Sequence, residues 1–379
     1  MSGFVVPPYP YDRLDGAKAV ASDRFTTAGG LIDLSVGTPC DAPPAEVIDA
    51  LAKSNTERGY PTSLGSAAYR EAAAGWVARR LGATIDPGRE IAACIGTKEF
   101  VATTPQYLRL HTPDRDTVLY PSVAYPTYEM GATLAGCRPV AVPVDDNFAI
   151  RLDAIEEADA ARALCLWVNT PGNPAGGLDD LDAAAAWGRA HGVPVLSDEC
   201  YVEFTWQGPR HTILTSGTDG VVAVHSLSKR SNLAGVRCGF YAGDRDIVHF
   251  LSEVRKHAGF MVPGPVQAAG AVAYDDDVHV DAQRARYLGR LQRMAAALQA
   301  AGFDVDLPRG GFYLWFPVPG GDEWAATQWL AEQAGILVSP GEFYGPEGKG
   351  FLRLAVVQPD DRIELAAQRL AAAPRYGGR

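Results

Sequence analysis

Ser226, Lys229 and Arg237 lie in the run HSLSKRSNLAGVRCGF, residues 225–240, three residues from serine to lysine and eight from lysine to arginine. A hydroxyl and a guanidinium together suit a phosphate, and a lysine amine between them can form an imine with an aldehyde. That set of groups implies pyridoxal 5'-phosphate, anchored by its phosphate and held through its aldehyde as a Schiff base on Lys229. Serine and lysine at this spacing are common, and a lysine in a Gly-rich loop is ordinarily a solvated charge. The reading gains weight from four other segments that supply complementary groups in the matching order.

Gly96-Thr97-Lys98 follows an apolar strand and opens a helix. Backbone N–H groups at a helix N-terminus attract anions, and glycine lets a phosphate come close. With Ser226, Arg237 and the further candidate Ser228, this turn would complete a phosphate cradle. In WVNTPGNPAGG, residues 167–177, Asn173 precedes a proline in a stiff loop, and its amide can donate to the phenolate oxygen of the cofactor ring. In LSDECYVEF, residues 196–204, Asp198 ends an apolar strand. An acid there can pair with the pyridine nitrogen and keep the ring electron-withdrawing, while Tyr201 can reach the phenolate oxygen. Adjacent positions on a strand face opposite ways, so only one of Asp198 and Glu199 can meet the ring. Arg353, in the alternating run KGFLRLAVV, can bind a carboxylate in bidentate fashion if it is not simply exposed on an edge strand.

The elements that must position these groups follow from the pattern. Seven apolar runs read as strands: Glu90–Ile95, Thr117–Tyr120, Arg138–Val144, Ala163–Asn169, Val193–Asp198, Gly220–His225 and Arg237–Ala242. Several are apolar on both faces, as a mainly parallel sheet covered by helices requires. Helical stretches fall between them, at Thr97–Leu110, Tyr125–Ala135, Leu152–Ala158, Leu178–His191 and Arg245–His257. The alternation implies an α/β doubly wound core. After about residue 275 the texture changes to a long helix, Val278–Ala301, short strands at Asp304–Leu307 and Gly311–Pro317, a helix at Glu323–Ala334, a strand at Gly350–Val357 and a closing helix. The expected organisation is a large domain over residues 41–275 and a small α+β domain over 276–379, joined by the N-terminal segment 1–40. The tail after Ala373 is expected to fray.

Composition narrows the class. The 379 residues are 47% hydrophobic and 21% charged, with a net charge of −11. That balance argues against nucleic acid as the main partner, since a phosphate backbone wants a basic face. The six cysteines stand singly, with no spacing that suits a metal or a disulfide framework, and are expected to be reduced core thiols. No metal site is expected. The N-terminus lacks the basic and apolar regions of a signal peptide, and no run approaches membrane-spanning length, so a cytoplasmic protein is expected. A nicotinamide enzyme is excluded because no strand is followed by G-x-G-x-x-G.

Taken together these segments resemble the fold-type I aminotransferases, the aspartate aminotransferase superfamily (class I/II), over nearly the whole chain. The resemblance implies a large domain whose mainly parallel seven-stranded sheet lies between helices, plus a smaller α+β domain. It gives Lys229 as the Schiff-base lysine, Asp198 as the pyridine-nitrogen partner, Asn173 and Tyr201 as phenolate ligands, and Tyr125, in AYPTY, as the residue stacked on the ring. Ser226, Arg237 and the Gly96–Thr97–Lys98 turn correspond to the phosphate ligands, and Arg353 to the arginine for the substrate's α-carboxylate. Gly37, in SVGTP, lies where the N-terminal segment closes over substrate. Tyr60, in GYPTSLG, corresponds to a tyrosine that reaches the phosphate across a homodimer interface.

Within that superfamily the runs IGTKEFVA, PSVAYPTYEMGA, HSLSKRSNLAGVRCGF and RKHAGFMVPGPVQAA are most similar to the actinobacterial succinyldiaminopimelate aminotransferases. One departure is EFVATTPQYL, where that subfamily has a more apolar, tryptophan-bearing helix. The resemblance implies transamination in two halves with ping-pong kinetics. Glutamate would displace Lys229, whose amine then moves a proton as general base, and a keto acid would accept the amino group in the second half. A substrate with a distal succinyl group needs further cations, for which Arg255, Lys256 and Lys98 are candidates. The same lysine and aspartate would also serve an aminotransferase of other substrates, including those of secondary metabolism, or a C–S lyase.

Overall fold

The computed structural model describes Phe4 and residues 7–377. Met1–Gly3, Val5 and Val6, at the N-terminus read above, and Gly378 and Arg379, at the end of the tail expected to fray, lie outside the described residues. The chain forms two units: Thr38–Ala285 with Pro308–Gly311, and Met1–Gly37 with Arg286–Leu307 and Phe312–Arg379.

The first unit is built on seven strands: β1 (Ile91–Cys94), β2 (Thr117–Pro121), β3 (Arg138–Val142), β4 (Ala163–Asn169), β5 (Val195–Asp198), β6 (Val221–Ser226) and β7 (Gly239–Gly243). Their order is β1-β7-β6-β5-β4-β2-β3. β7 runs antiparallel to both of its neighbours, and every other pairing is parallel. All seven strands expected from the sequence form.

Both faces of this sheet are buried except along the edge strand β3, as its near-continuous apolar runs require. Along β4 the side chains alternate between two cores. Leu166 and Val168 pack into one, Cys165 and Trp167 into the other. Each fully buried side chain of this kind contributes about 1.5–3 kcal/mol. The covering helices carry their own start signals. Asp180 accepts from the Ala183 N–H (2.9 Å) and begins Leu181–His191, while Asp244 accepts from Asp246 and Ile247 and begins Arg245–His257.

The topology decides where chemistry can sit. β2, β4, β5 and β6 are parallel and end on one edge. β7 runs back against β6 and β1, with Gly239 opposite both Ser226 and Cys94, so the residues just before β7 share that edge. Open α/β sheets place their sites at such carboxyl ends.

In the second unit β8 (Tyr313–Pro317), β9 (Ser339–Pro340) and β10 (Phe351–Ala355) form an antiparallel sheet with β10 in the centre. Ile32–Asp33 pairs in parallel with Ile336–Leu337. A helix at Asp15–Arg24, alanine-rich and without a clear apolar stripe, was not signalled by the sequence pattern.

Three expectations are corrected. Asp304–Leu307 alternates acid with apolar as a strand would, but forms none. The Val305 carbonyl accepts from Gln299 Nε2 (2.6 Å), and Pro308 ends the run. The helix expected at Leu152–Ala158 divides into a 3-10 turn, Leu152–Ala154, and a short helix, Glu157–Ala160. The tail does not simply fray, because Tyr376 stacks on Phe303 (4.9 Å between rings) and its N–H donates to the Ala301 carbonyl (2.8 Å). Among the described residues no helix is long and apolar enough to cross a membrane.

Candidate functional site

Four neighbouring strands deliver side chains to one edge of the first unit. Ser226 ends β6, Asp198 ends β5, and Asn169 ends β4 in register with Asp198. Tyr125 follows the end of β2. Lys229 comes just after Ser226, on the one-turn helix Leu227–Arg230, and is partly buried.

The residues expected to cradle a phosphate lie together around Gly239. Gly96 caps the 15-residue helix Thr97–His111 with φ +73°. A Cβ there would fall 2.4 Å from Arg237 Nη2, so only glycine leaves room for the guanidinium. Arg237, itself left-handed at φ +57°, donates from Nη1 to the Ala234 carbonyl (2.9 Å) and from Nη2 to the Ile95 carbonyl (3.4 Å). The Ser226 hydroxyl accepts from the Ser228 N–H (3.1 Å) and lies 2.9 Å from the Ser228 hydroxyl. Hydroxyls, a guanidinium and a helix N-terminus converging beside a glycine fit a phosphate dianion. Thr97 opens the helix, its Oγ1 accepting from the Cys200 thiol (3.1 Å), and Lys98 lies exposed in the same turn.

The acid sits deeper. Asp198 is buried and accepts from the Tyr128 hydroxyl at Oδ2 (3.1 Å) and from the Cys200 N–H at Oδ1 (3.2 Å). Burial pushes its carboxyl up, while the hydrogen bonds from Cys200 and Tyr128 and the charge of Lys229 pull the other way. A protonated pyridine nitrogen would supply the opposite charge that such a buried carboxylate lacks, which is the second respect in which these residues fit pyridoxal phosphate. Burial holds the Tyr128 hydroxyl well above its usual range, so it stays a donor.

Asn173 is placed by its neighbours. Its N–H donates to Asn169 Oδ1 (2.8 Å), and Asn169 Nδ2 donates to the Asp198 carbonyl (2.7 Å). The buried Asp179 clamps the loop by accepting from the N–H groups of Ile150 (2.8 Å) and Asn169 (3.2 Å) and from the Thr170 hydroxyl (2.8 Å). Tyr201 is buried just before the turn Val202–Phe204. Tyr125 meets Tyr128 edge to face, with ring centroids 6.1 Å apart.

Glu199 turns away from Asp198, as strand alternation predicted. It is buried, accepts from the Ile213 N–H (2.9 Å) and lies 3.3 Å from His225 Nε2. Burial raises the Glu199 carboxyl to about 7 and lowers the His225 imidazole to about 3, so at neutral pH this pair is not a full ion pair. Tyr60 is 96% exposed and packs into no cradle of its own chain.

Arg353 belongs to the second unit and is not on an edge. It occupies the central strand β10 and is 2% exposed. Its guanidinium lies over the rings of Tyr313 (4.2 Å) and Tyr344 (4.7 Å) and donates to the Tyr11 hydroxyl (3.2 Å) and the Ser35 carbonyl. Gly37 shares this nest, since a Cβ there would lie 2.0 Å from the Tyr313 hydroxyl.

Two candidate distal cations are otherwise engaged. Arg255 is 1% exposed, ion-paired in bidentate fashion with Glu99 and enclosed by Phe100, Tyr241 and Phe260. Lys256 pairs with Glu253 on an exposed helix face. Sequence reasoning missed Tyr128, Asn169 and Asp179. Tyr128 lies in the helix Thr127–Leu134 that begins just after Tyr125.

Residues 30–370 match the family described as aminotransferase class I and II. The chain is 42% identical over 373 residues to the 4-dedimethylamino-4-oxo-anhydrotetracycline transaminase OxyQ of Streptomyces rimosus, covering 96% of this chain and 99% of that one. It is 34% identical to the LL-diaminopimelate aminotransferase of Aquifex aeolicus, covering 97% and 96%. The solved structure of a probable N-succinyldiaminopimelate aminotransferase from Thermus thermophilus superposes with a TM-score of 0.84 at 33% identity, covering 96% of this chain and 99% of that one.

Proposed function

The chain belongs to the class I and II aminotransferases, and from that premise we propose that it binds pyridoxal 5'-phosphate through Lys229 and moves an amino group from glutamate to a keto acid of the diaminopimelate type. It is an aminotransferase of the fold-type I architecture. The observation that carries the cofactor reading is the convergence of Gly96, Ser226, Arg237, Asp198 and Lys229 on one sheet edge.

When bound, the cofactor supplies an aldehyde that takes up the substrate's amine and a ring that withdraws electrons from the α-carbon. Ser226, Ser228, Arg237 and the Gly96–Thr97–Lys98 turn hold the phosphate. Asp198, oriented by Tyr128, holds a proton at the pyridine nitrogen. Asn173 and Tyr201 donate to the phenolate oxygen, and Tyr125 covers the ring. Arg353 takes the substrate's α-carboxylate. The Lys229 amine accepts the proton from the substrate's α-carbon and returns it one position away. Tyr60, exposed in the single chain, serves the partner's phosphate in a homodimer. The setting is cytoplasmic.

The diaminopimelate-type substrate is supported by the names of the Aquifex and Thermus proteins. A second reading, a ketone of secondary metabolism, is favoured by the 42% identity to OxyQ. Arg255 is locked to Glu99 and Lys256 pairs with Glu253, so neither supports a distal carboxylate site. Glutamate-driven amination of a succinylated keto acid, a short keto acid and an anhydrotetracycline-type ketone separates the readings. The N-succinyldiaminopimelate form of the reading requires the succinylated acid to turn over fastest. A clear preference for the polycyclic ketone would replace it, and elimination of a thiol without amination would mark a C–S lyase.

A further inference from the structure

Beside Lys229 in the chain, starting at Arg230, lies a buried charge cluster that the proposed chemistry does not use. Glu203 is its hub. Its carboxylate accepts from Trp76 Nε1 (2.8 Å) and Arg80 Nη2 (3.0 Å), and lies 2.8 Å from Arg210 Nε and 3.5 Å from Arg230 Nε. Arg230 is 3% exposed, and its guanidinium lies against the neighbouring rings of Trp76 (5.5 Å) and Tyr274 (5.3 Å). Its guanidinium also donates to the Ala273 carbonyl, to the Ser231 hydroxyl (3.2 Å) and to the Asp276 carbonyl (3.2 Å), and meets Asp277 at 3.4 Å.

Stability does not account for this arrangement. A buried ion pair costs several kcal/mol of desolvation per ion, and well-packed apolar residues commonly replace one without loss. Its connectivity does offer an account. Arg230 is the last residue of the one-turn helix that carries Lys229, and a single turn cannot hold its own geometry. Glu203 lies in the turn that begins directly after Tyr201. The Arg284 guanidinium pins the backbone of that turn at the carbonyls of Glu203 and Thr205. The pair therefore ties the lysine-bearing segment after β6 to the tyrosine-bearing segment after β5.

We propose that Glu203 and Arg230 are positioning residues that fix the Lys229 amine relative to Asp198 and Tyr201. This rests on the reading of Lys229 as the cofactor lysine. Small misplacements of a proton-transfer group cost rate far more than binding, so the signature is a fall in kcat of about 10- to 100-fold with KM for glutamate within about twofold.

The test uses the full-length protein loaded with pyridoxal phosphate. Glu203→Gln, Arg230→Lys and the double variant Glu203→Gln/Arg230→Met are compared with wild type for kcat, KM, Tm and the pH midpoint of the bound cofactor's absorption band, the last a readout independent of turnover. Arg230→Lys keeps the charge and loses the fork, and is expected to show the kcat fall and a displaced midpoint while remaining folded. The double variant removes Glu203 and its buried partner Arg230 together, and leaves Arg80 and Arg210 to Asp281. It is expected to recover Tm relative to Glu203→Gln while kcat and the midpoint stay displaced. A double variant with wild-type kcat and midpoint would overturn the proposal, leaving the pair purely structural. A wild-type protein with no cofactor band would instead overturn the assignment of Lys229, and the positioning role with it.

Discussion

The strand-end residues proposed to hold a phosphate and the nest around Arg353 are built by different means. The cradle uses backbone N–H groups, serine hydroxyls and one guanidinium on the rim of a sheet buried on both faces, and its parts are set by strand register. The nest uses one guanidinium held between two tyrosine rings and tethered to Tyr11 and Ser35. A sheet edge suits a group that stays bound. An aromatic nest holds a cation in a dry place while leaving its charge to attract an exchanging carboxylate. The proposed function accordingly gives the chemistry to the first region and substrate affinity to the second.

The most severe variant breaks the first region alone. Lys229→Ala removes the proton-transferring amine and should lower kcat by about 10³-fold or more. Lys229 is partly exposed and lies outside the core, so Tm should stay near wild type. Near-normal turnover would sink the assignment. Next comes the second region. Arg353→Lys keeps the charge but loses the fork, and hydrogen bonds between charged groups are worth about 1.5–3 kcal/mol, so KM for glutamate should rise about 10- to 100-fold with kcat little changed. A variant that lost kcat and kept KM would reverse the comparison.

A smaller effect probes the cradle's internal logic. Tyr128→Phe deletes one hydrogen bond to Asp198, worth about 1 kcal/mol, and should cut kcat about 3- to 10-fold. An unchanged kcat would mean that Asp198 is held without Tyr128.

The difference between the regions also explains what the sequence revealed. The cradle's groups fall in short runs, because all but Arg237, which just precedes β7, are the end of a strand or the turn after it. Ser226 and Lys229, or Gly96 and Thr97, are therefore neighbours in the chain as well as in space. The nest draws on Tyr11, Ser35, Gly37, Tyr313, Tyr344 and Arg353, and of these only two were legible, Arg353 from its alternating apolar run and Gly37 through resemblance to a family. The strands were legible because burial on both faces leaves unbroken apolar runs. The helix Asp15–Arg24 was not, since alanine-rich helices show little periodic contrast. Arg255 looked like a substrate ligand because the sequence does not show that Glu99, 156 residues away, claims it.

The mildest consequence concerns stability. Glu199, raised from an ordinary 4.5 to about 7, favours the folded chain fully below pH 4.5 and loses that contribution as pH rises through about 7. His225, lowered from 6.5 to about 3, favours it above pH 6.5 and loses that contribution as pH falls toward 3. Between pH 4.5 and 6.5 the two slopes oppose and cancel. Glu199→Gln leaves only the histidine slope, so its Tm should drop relative to wild type as pH falls from 6.5 to 4.5. A constant difference across that window would show that the pair does not titrate this way.

Everything assigned to the cradle depends on Lys229 carrying the cofactor and on glutamate being able to donate its amino group there. The decisive observation is the absorption spectrum of the protein with pyridoxal phosphate, before and after glutamate. A yellow band from the lysine-bound cofactor should give way to the band of the cofactor's amine form, and no such lysine-bound band should form in Lys229→Ala. No yellow band in the wild-type protein, or one that survives intact in Lys229→Ala, would refute the assignment.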